Sequence, residues 1–91
     1  MEIKVYATLR DVVGGPSVQL NDGPELTVGQ MLQELCARYP ELRPKLALNE
    51  DELHPAVHIL VNGRDMCYLN GLETRLTAKD TIRIFPPVGG G

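Results

Sequence analysis

One helix with clear signals at both ends is the feature that most limits the fold of this chain. Thr27 is placed to cap its first turn, and Gln30 stands three residues later, which is the spacing of a capping box. Pro40 ends the helix, because the residue before a proline is disfavoured in helical geometry. The apolar residues between these limits recur every three or four positions and form one stripe: Val28, Met31, Leu32, Leu35, Cys36 and Tyr39. The sequence therefore predicts an amphipathic helix that packs its stripe against another element.

Strand patterns flank this helix on both sides. Alternating or continuous apolar segments bounded by turn residues predict strands at residues 2–7, 17–20, 57–61, 66–69 and 81–85. Asn62-Gly63 is a strong signal for a two-residue hairpin turn. Residues 9–15 lead to a loop that is marked by Gly14-Gly15-Pro16. Residues 41–55 contain Pro44 and favour an irregular connection over a helical turn.

The order of these elements predicts an α+β fold of the β-grasp type. A hairpin, a helix laid across one face of a mixed sheet, and further strands would bring the first and last strands together in parallel at the centre. A chain of 91 residues fits a single domain. We expect residues 1–85 to form this domain and residues 86–91 to form an extended C-terminal tail.

Composition excludes several classes of function. The net charge of −3 argues against nucleic acid as the main ligand. No apolar run approaches the roughly 20 residues that cross a membrane, and the chain opens on a strand rather than a signal segment, so we expect a cytoplasmic protein. Cys36 and Cys67 are predicted to be buried thiols without metal. His58 is expected to be half-buried and His54 exposed, neither with a catalytic partner.

The tail, Pro86-Pro87-Val88-Gly89-Gly90-Gly91, has a composition suited to entering another protein. The prolines favour an extended chain, and glycines without Cβ atoms can follow a narrow path. The reactive group is the Gly91 carboxylate, which is ionised at neutral pH because a free α-carboxyl has a pKa of about 3.5. An ionised carboxylate is a poor electrophile and needs activation, most simply as a mixed anhydride with AMP. The chain has no Gly-rich phosphate-binding loop, so a partner enzyme must supply that step.

Residues 82–91 resemble the C-terminus of the MoaD/ThiS family of ubiquitin-like sulfur carriers, which closes on an apolar strand, often Phe-Pro-Pro-Val, a small residue and Gly-Gly. The stretch Tyr6-Ala7-Thr8-Leu9-Arg10-Asp11 is similar to the family's opening. The helix from Thr27 to Pro40 and the turn at Asn62-Gly63 also fit. The length of the connection at residues 41–55 resembles the longer members, the CysO and archaeal-modifier type.

The resemblance implies a chemistry for the tail. An E1-like adenylating enzyme of the MoeB/ThiF type would use ATP and magnesium to activate Gly91, with Gly90 completing the family ending. A sulfur donor would then convert the carboxylate to a thiocarboxylate, which passes its sulfur to an acceptor enzyme. The chain itself would bind no metal or cofactor and would catalyse nothing.

The resemblance also implies a docking surface. Phe85 is out of phase with Ile82 and Ile84, and Tyr6 with Ile3 and Val5, so both rings should lie on the sheet face away from the helix. In the family such positions dock on the activating enzyme, although single exposed aromatics are also ordinary. The predicted partner-binding residues are Tyr6, Phe85, Pro86, Pro87, Val88 and Gly89.

The acceptor stays open at this point. Phe85-Pro86-Pro87-Val88 suits the small subunit of molybdopterin synthase, whose tail enters the large subunit. The alternatives are a carrier for cysteine, thiamine or tRNA thiolation, and a ubiquitin-like modifier joined to lysines through Gly91. A binding-only β-grasp domain would not need the Gly-Gly ending. A β-grasp ferredoxin is excluded because its cluster needs four cysteines and the chain has two.

Overall fold

Two strands from opposite ends of the chain form the centre of the main sheet. The structure is a computed structural model that describes residues 1–20, 26–49 and 52–87. Strand β1 (Glu2–Val5) pairs in parallel with β7 (Thr81–Phe85), and Ile3 lies opposite Ile82. This parallel central pair confirms the prediction. The other strands of this sheet are β2 (Ser17–Gln19), β4 (His58–Val61) and β5 (Arg64–Asp65), in the order β2-β1-β7-β4-β5.

The main helix, α2 (Val28–Arg38), begins at the predicted capping box. The Gln30 backbone N–H donates to Thr27 Oγ1 at 3.1 Å, and the Thr27 backbone N–H donates to Gln30 Oε1 at 2.9 Å. These bonds satisfy donors that the first turn of a helix leaves without partners. Five members of the predicted stripe are buried and Tyr39 is half-buried at the C-cap: Val28, Met31, Leu32, Leu35 and Cys36. They belong to one core cluster with the buried faces of the central strands.

The hairpin between β4 and β5 turns at Asn62-Gly63, as predicted. Asn62 has φ 53° and Gly63 has φ 87°, the pair of positive values that a type I′ turn requires. The Asn62 side chain also holds the start of β7: its Oδ1 accepts from the Thr81 N–H at 3.0 Å, and its Nδ2 donates to Asp80 Oδ1 at 2.9 Å. The turn therefore fixes the neighbouring strand that leads into the tail.

The loop marked by Gly14-Gly15-Pro16 is confirmed, but the short helix before it, α1 (Leu9–Val13), was not predicted. Gly14 ends this helix with φ 81°, and its N–H donates to Arg10 O at 2.9 Å. The first strand stops at Val5, two residues earlier than predicted. Ala7 is exposed with φ 54°, so the chain has already turned toward α1 and Ala7 does not share the buried face of Ile3.

The connection after α2 is more ordered than predicted. Helix α3 (Leu42–Leu46) contains Pro44 as its third residue. An N–H in the first turn has no acceptor within the helix, so proline is tolerated there. Arg43 joins the helices, since its Nη2 donates to Gln33 Oε1 at 2.7 Å. The acidic residues Glu50 and Asp51 lie outside the described residues, as do residues 21–25.

The return strand predicted at residues 66–69 is also wrong. The strand that returns from the Asn62-Gly63 turn to pair with β4 is β5, and residues Met66–Tyr68 form a 3₁₀ turn capped by Asp65. A second 3₁₀ turn, Gly71–Glu73, precedes β6 (Arg75–Leu76), which pairs with β3 (Leu26–Thr27) in a separate two-stranded sheet that was not predicted. No helix among the described residues is long and apolar enough to span a membrane.

Candidate partner-docking surface

Two aromatic side chains stack where the last strand meets the tail. The Tyr6 and Phe85 ring centroids are 4.3 Å apart, and the ring planes differ by 10°. Both side chains are half-buried. Stacked aromatic pairs of this kind are typically worth about 0.5–1.5 kcal/mol beyond their burial. The prediction that the two rings lie on one face is confirmed, while their role in binding stays a prediction.

The register of the central strands explains this stack. Val5 lies opposite Ile84 in the parallel pair, so Tyr6 and Phe85, the next residue of each segment, are neighbours. Successive side chains of a strand point to opposite faces, and Ile84 is fully buried in the core. Phe85 therefore points away from the core. We call this surface the outer face, and its central side chains are Lys4, Tyr6, His58, Leu60, Arg83 and Phe85.

Arg10 places a cation beside the stack. Its Nε donates to Val5 O at 2.9 Å, and its Cζ lies 5.1 Å from the centroid of the Tyr6 ring. Leu9 anchors the start of α1 in the core with 0% exposure, which fixes the helix that carries Arg10. The ring face of tyrosine attracts a guanidinium at this distance. The outer face thus presents an apolar pair with a positive charge at its edge.

The tail begins directly at this stack. Pro86 and Pro87, both half-buried, follow Phe85 without an intervening residue. The ring of proline fixes φ, so the chain leaves β7 with little freedom over these two positions. The remaining predicted tail residues, Val88, Gly89, Gly90 and Gly91, lie outside the described residues. The predictions that fall on them therefore stay predictions.

His58 borders the stack on the other side. It lies opposite Phe85 across β4 and β7, and its side chain is 57% exposed rather than half-buried as predicted. The error arises because β4 buries only its alternate residues, and His58 points outward. Its Nδ1 lies 3.2 Å from Asp65 Oδ2. His54 is exposed as predicted, and its Nδ1 accepts from the Ala56 N–H at 3.0 Å.

The two cysteines differ in environment. Cys36 is buried as predicted, and burial raises the pKa of its thiol. Cys67 is exposed, which corrects the prediction, because the 3₁₀ turn after Asp65 buries Met66 alone of its three residues. The backbone N–H of Cys67 lowers the pKa of Asp65, and His58 contributes in the same direction. The Asp65 carboxylate in turn raises the pKa of the Cys67 thiol, so that thiol is protonated at neutral pH and is a poor nucleophile.

The described residues hold no cluster of three or more His, Cys, Asp or Glu side chains fit for a metal ion. A cavity of about 280 Å³ lies between the first turns of α2, Leu48 and the second 3₁₀ turn. Its one ionisable side chain is Glu73, so it offers no acid–base pair. The outer face, by contrast, combines stacked rings with positive side chains among the described residues.

Comparison with known families agrees with this geometry. The model of the ThiS family matches residues 3–91. The chain belongs to the ThiS family. Small archaeal modifier protein 3 of Haloferax volcanii is 38% identical over 91 residues, a match that covers 100% of this chain and 98% of that protein.

Solved structures of similar proteins confirm that this ThiS family chain has the ubiquitin-like β-grasp fold. The crystal structure of the modifier SAMP1 from Haloferax volcanii has a TM-score of 0.83 at 32% identity, covering 100% of this chain and 98% of that one. A chain of the Amycolatopsis orientalis BexX/CysO complex has a TM-score of 0.81 at 28% identity, covering 99% of this chain and 98% of that one. The predicted likeness to the longer carriers and archaeal modifiers is therefore confirmed.

Sequence reasoning missed the charged part of this ThiS family surface. The sequence does not predict the contact of Arg10 with the Tyr6 ring, because that contact depends on helix α1, which was not predicted. Lys4 and Arg83 lie directly opposite each other on the outer face. The alternation of each strand places Lys4 and Arg83 outside the core. The parallel pairing of the two strands is the signal that could have shown them to be near each other. The exact register, which the sequence did not fix, brings them together.

Proposed function

We propose that this chain is a protein cosubstrate that carries sulfur on its last residue. A partner enzyme adenylates the Gly91 carboxyl group, and a sulfur donor converts it to a thiocarboxylate. The observation that supports this most directly is the stack of Tyr6 and Phe85 at the root of the tail, on the outer face of a ThiS family fold. A partner that docks on the rings would be held next to the point from which Gly91 is delivered.

The proposed chemistry balances in two steps. The Gly91 carboxylate attacks the α-phosphorus of ATP and releases pyrophosphate, which gives an acyl-adenylate. Hydrosulfide from the sulfur donor then attacks the acyl carbon, AMP leaves with the electron pair of the broken C–O bond, and loss of the S–H proton gives the thiocarboxylate. ATP and magnesium belong to the activating partner, which we propose to be an E1-like enzyme of the MoeB/ThiF type.

The side chains of this chain act by binding and orientation. Tyr6 and Phe85 would enter an apolar pocket of the partner, as aromatic anchors do at the centre of many interfaces. Pro86, Pro87 and Val88 would guide the chain from that pocket into the active site. Gly89 and Gly90 would pass the narrowest part of the channel, where a Cβ atom would collide with the wall.

Two acceptors remain as candidates. Phe85-Pro86-Pro87-Val88 supports a role as the small subunit of molybdopterin synthase, in which the thiocarboxylate gives its sulfur to the precursor held by the large subunit. The 38% identity to small archaeal modifier protein 3 supports a second role, conjugation of Gly91 to lysine side chains of other proteins. Both roles begin from the same activated carboxyl group, since an acyl-adenylate and a thiocarboxylate both acylate amines. Transfer to cysteine, thiamine or tRNA pathways uses the same intermediate.

Intact-mass measurement tests the shared step. The chain is incubated with ATP, magnesium, sulfide and the E1-like enzyme encoded in the same genome. We expect a gain of about 16 Da, the difference between oxygen and sulfur, confined to the C-terminal peptide. A variant that lacks Gly91 should fold normally by circular dichroism and gain no mass. An unmodified wild-type chain beside an enzyme that makes acyl-adenylate on another carrier would contradict the proposal.

A second measurement separates the acceptors. The thiocarboxylate form is mixed with the large molybdopterin synthase subunit and precursor, or added to cell extract with ATP. Molybdopterin formation would identify the first acceptor, while Gly91 joined to lysines in peptide mass spectra would identify the second.

A further inference from the structure

Two positive side chains stand side by side at the centre of the outer face. Lys4 of β1 and Arg83 of β7 are direct partners in the parallel register. Both are half-buried, and both lie two residues from an aromatic ring of the stack, Lys4 from Tyr6 and Arg83 from Phe85. Like charges directly opposite on neighbouring strands destabilise a sheet. The free protein thus keeps a repulsive pair next to its proposed docking surface.

No acidic side chain of the described residues neutralises this pair. Glu2 lies one step along the same face, opposite Thr81, and makes no ion pair with either cation. Asp65 lies opposite Leu60, and its carboxylate is engaged by His58 at 3.2 Å and by the Cys67 N–H at 2.9 Å. The contact of His58 with Asp65 is an ion pair only when His58 is protonated.

The geometry points to one kind of ligand. Neighbouring strands lie about 4.8 Å apart, so the ammonium group of Lys4 and the guanidinium of Arg83 can reach the same carboxylate. We propose that Lys4 and Arg83 form a binding site for an acidic side chain of the protein that docks on the outer face. This inference rests on the proposed function, and it adds the charge that the activating enzyme must present beside its pocket for Tyr6 and Phe85.

A protein carboxylate suits this site better than a nucleic acid phosphate. Nucleic acid binding uses a stripe or patch of many basic residues, whereas this chain has a net charge of −3. A pair of cations beside two stacked rings matches a protein interface, in which an apolar anchor is accompanied by a small number of charges. Those charges select the partner and raise the rate of association.

The test compares two double variants as substrates of the E1-like enzyme, in a pyrophosphate-release assay. Lys4→Glu/Arg83→Glu replaces the two positive charges of the site by two negative charges. Lys45→Glu/Lys79→Glu makes the same change in net charge at exposed positions, on α3 and in the turn before β7. We expect reversal of the site to raise KM by at least about tenfold with kcat unchanged, and the control to change KM less than about twofold. Added salt should raise the wild-type KM and lower that of the reversed variant, because screening weakens an attraction in the first and a repulsion in the second.

A neutral variant keeps the proposal testable if the reversed variant fails to fold. Lys4→Gln/Arg83→Gln removes the charges without introducing acid, and its KM should fall between wild type and the reversed variant. Equal KM values for the wild type and a folded neutral or reversed variant would overturn this inference and leave the proposed function intact. Absence of pyrophosphate release from the wild type would contradict the proposed function itself. Binding of an RNA probe that depends on Lys4 and Arg83, with KM unaffected, would also overturn the carboxylate assignment.

Discussion

The two faces of the central sheet use the same strands for different purposes. The inner side chains have 0% exposure in the core: Ile3, Val5, Ile59, Ile82 and Ile84. On the outer face the same strands, with the residue after β1, carry half-buried side chains that include two rings and two charges: Lys4, Tyr6, Leu60, Arg83 and Phe85. Alternation along each strand makes this division unavoidable. The face that α2 covers supplies stability, and the uncovered face is available for a partner.

The two faces differ in the neighbours that their side chains find within the chain. Inner side chains find apolar neighbours within the chain, and full burial of one such side chain is worth about 1.5–3 kcal/mol. The outer face keeps two cations in direct opposition and a half-buried aromatic stack beside Arg10. The opposed cations lower the stability of the free protein, whereas the stack raises it modestly. The proposed docking of a second protein would account for the opposed cations, which folding alone does not favour.

The largest expected effect comes from breaking the inner face. Ile84→Ala removes a fully buried side chain from the central strand, and we expect a loss of about 2–5 kcal/mol in the free energy of unfolding. Urea unfolding followed by circular dichroism measures this loss. The remaining folded fraction should be adenylated with wild-type KM, because Ile84 does not reach the outer face. A loss no larger than that of Phe85→Ala would contradict the assignment of stability to the inner face.

The neighbouring residue should behave in the opposite way. Phe85→Ala removes a half-buried ring and its stack on Tyr6, and we expect a stability loss of about 1–2 kcal/mol. Binding to the E1-like enzyme, measured by isothermal titration calorimetry, should weaken by at least about thirtyfold, as for an aromatic anchor. Tyr68→Ala is the control, because Tyr68 is 84% exposed and stands outside the ring pair. If Phe85→Ala bound the E1-like enzyme with wild-type affinity, the stack would not be part of the docking surface.

Much of the fold that builds the inner face could be predicted from the sequence, because the signals for its elements are local or strictly periodic. The capping box at Thr27 and the turn at Asn62-Gly63 depend on residues within a few positions of each other. The parallel pairing of the first and last strands follows from the order of elements and from rules of chain connection. These features required no knowledge of side-chain contacts.

The parts that were missed depend on distant contacts or on weak patterns. Strands β3 and β6 have two residues each, too few to show alternation. Helix α1 has five residues and is stabilised by burial of Leu9 and by Gly14 at its end. The opposition of Lys4 and Arg83 depends on the register of two strands from opposite ends of the chain, and a shift of one residue would separate them.

The smallest expected effect is a gain of stability on removing an outer-face charge, a sign that few substitutions give. Lys4→Met keeps the unbranched stem that covers the outer face and removes one of two opposed charges. We expect the free energy of unfolding to rise by about 0.2–1 kcal/mol, whereas most substitutions lower it. Lys79→Met, at an exposed turn, is the matched control and should change stability less. The gain should shrink when urea unfolding is repeated at about 1 M salt, since screening reduces the repulsion between partly exposed charges. A loss of stability in Lys4→Met would mean that the sheet itself uses Lys4, and the reason to assign this cation to a partner would disappear.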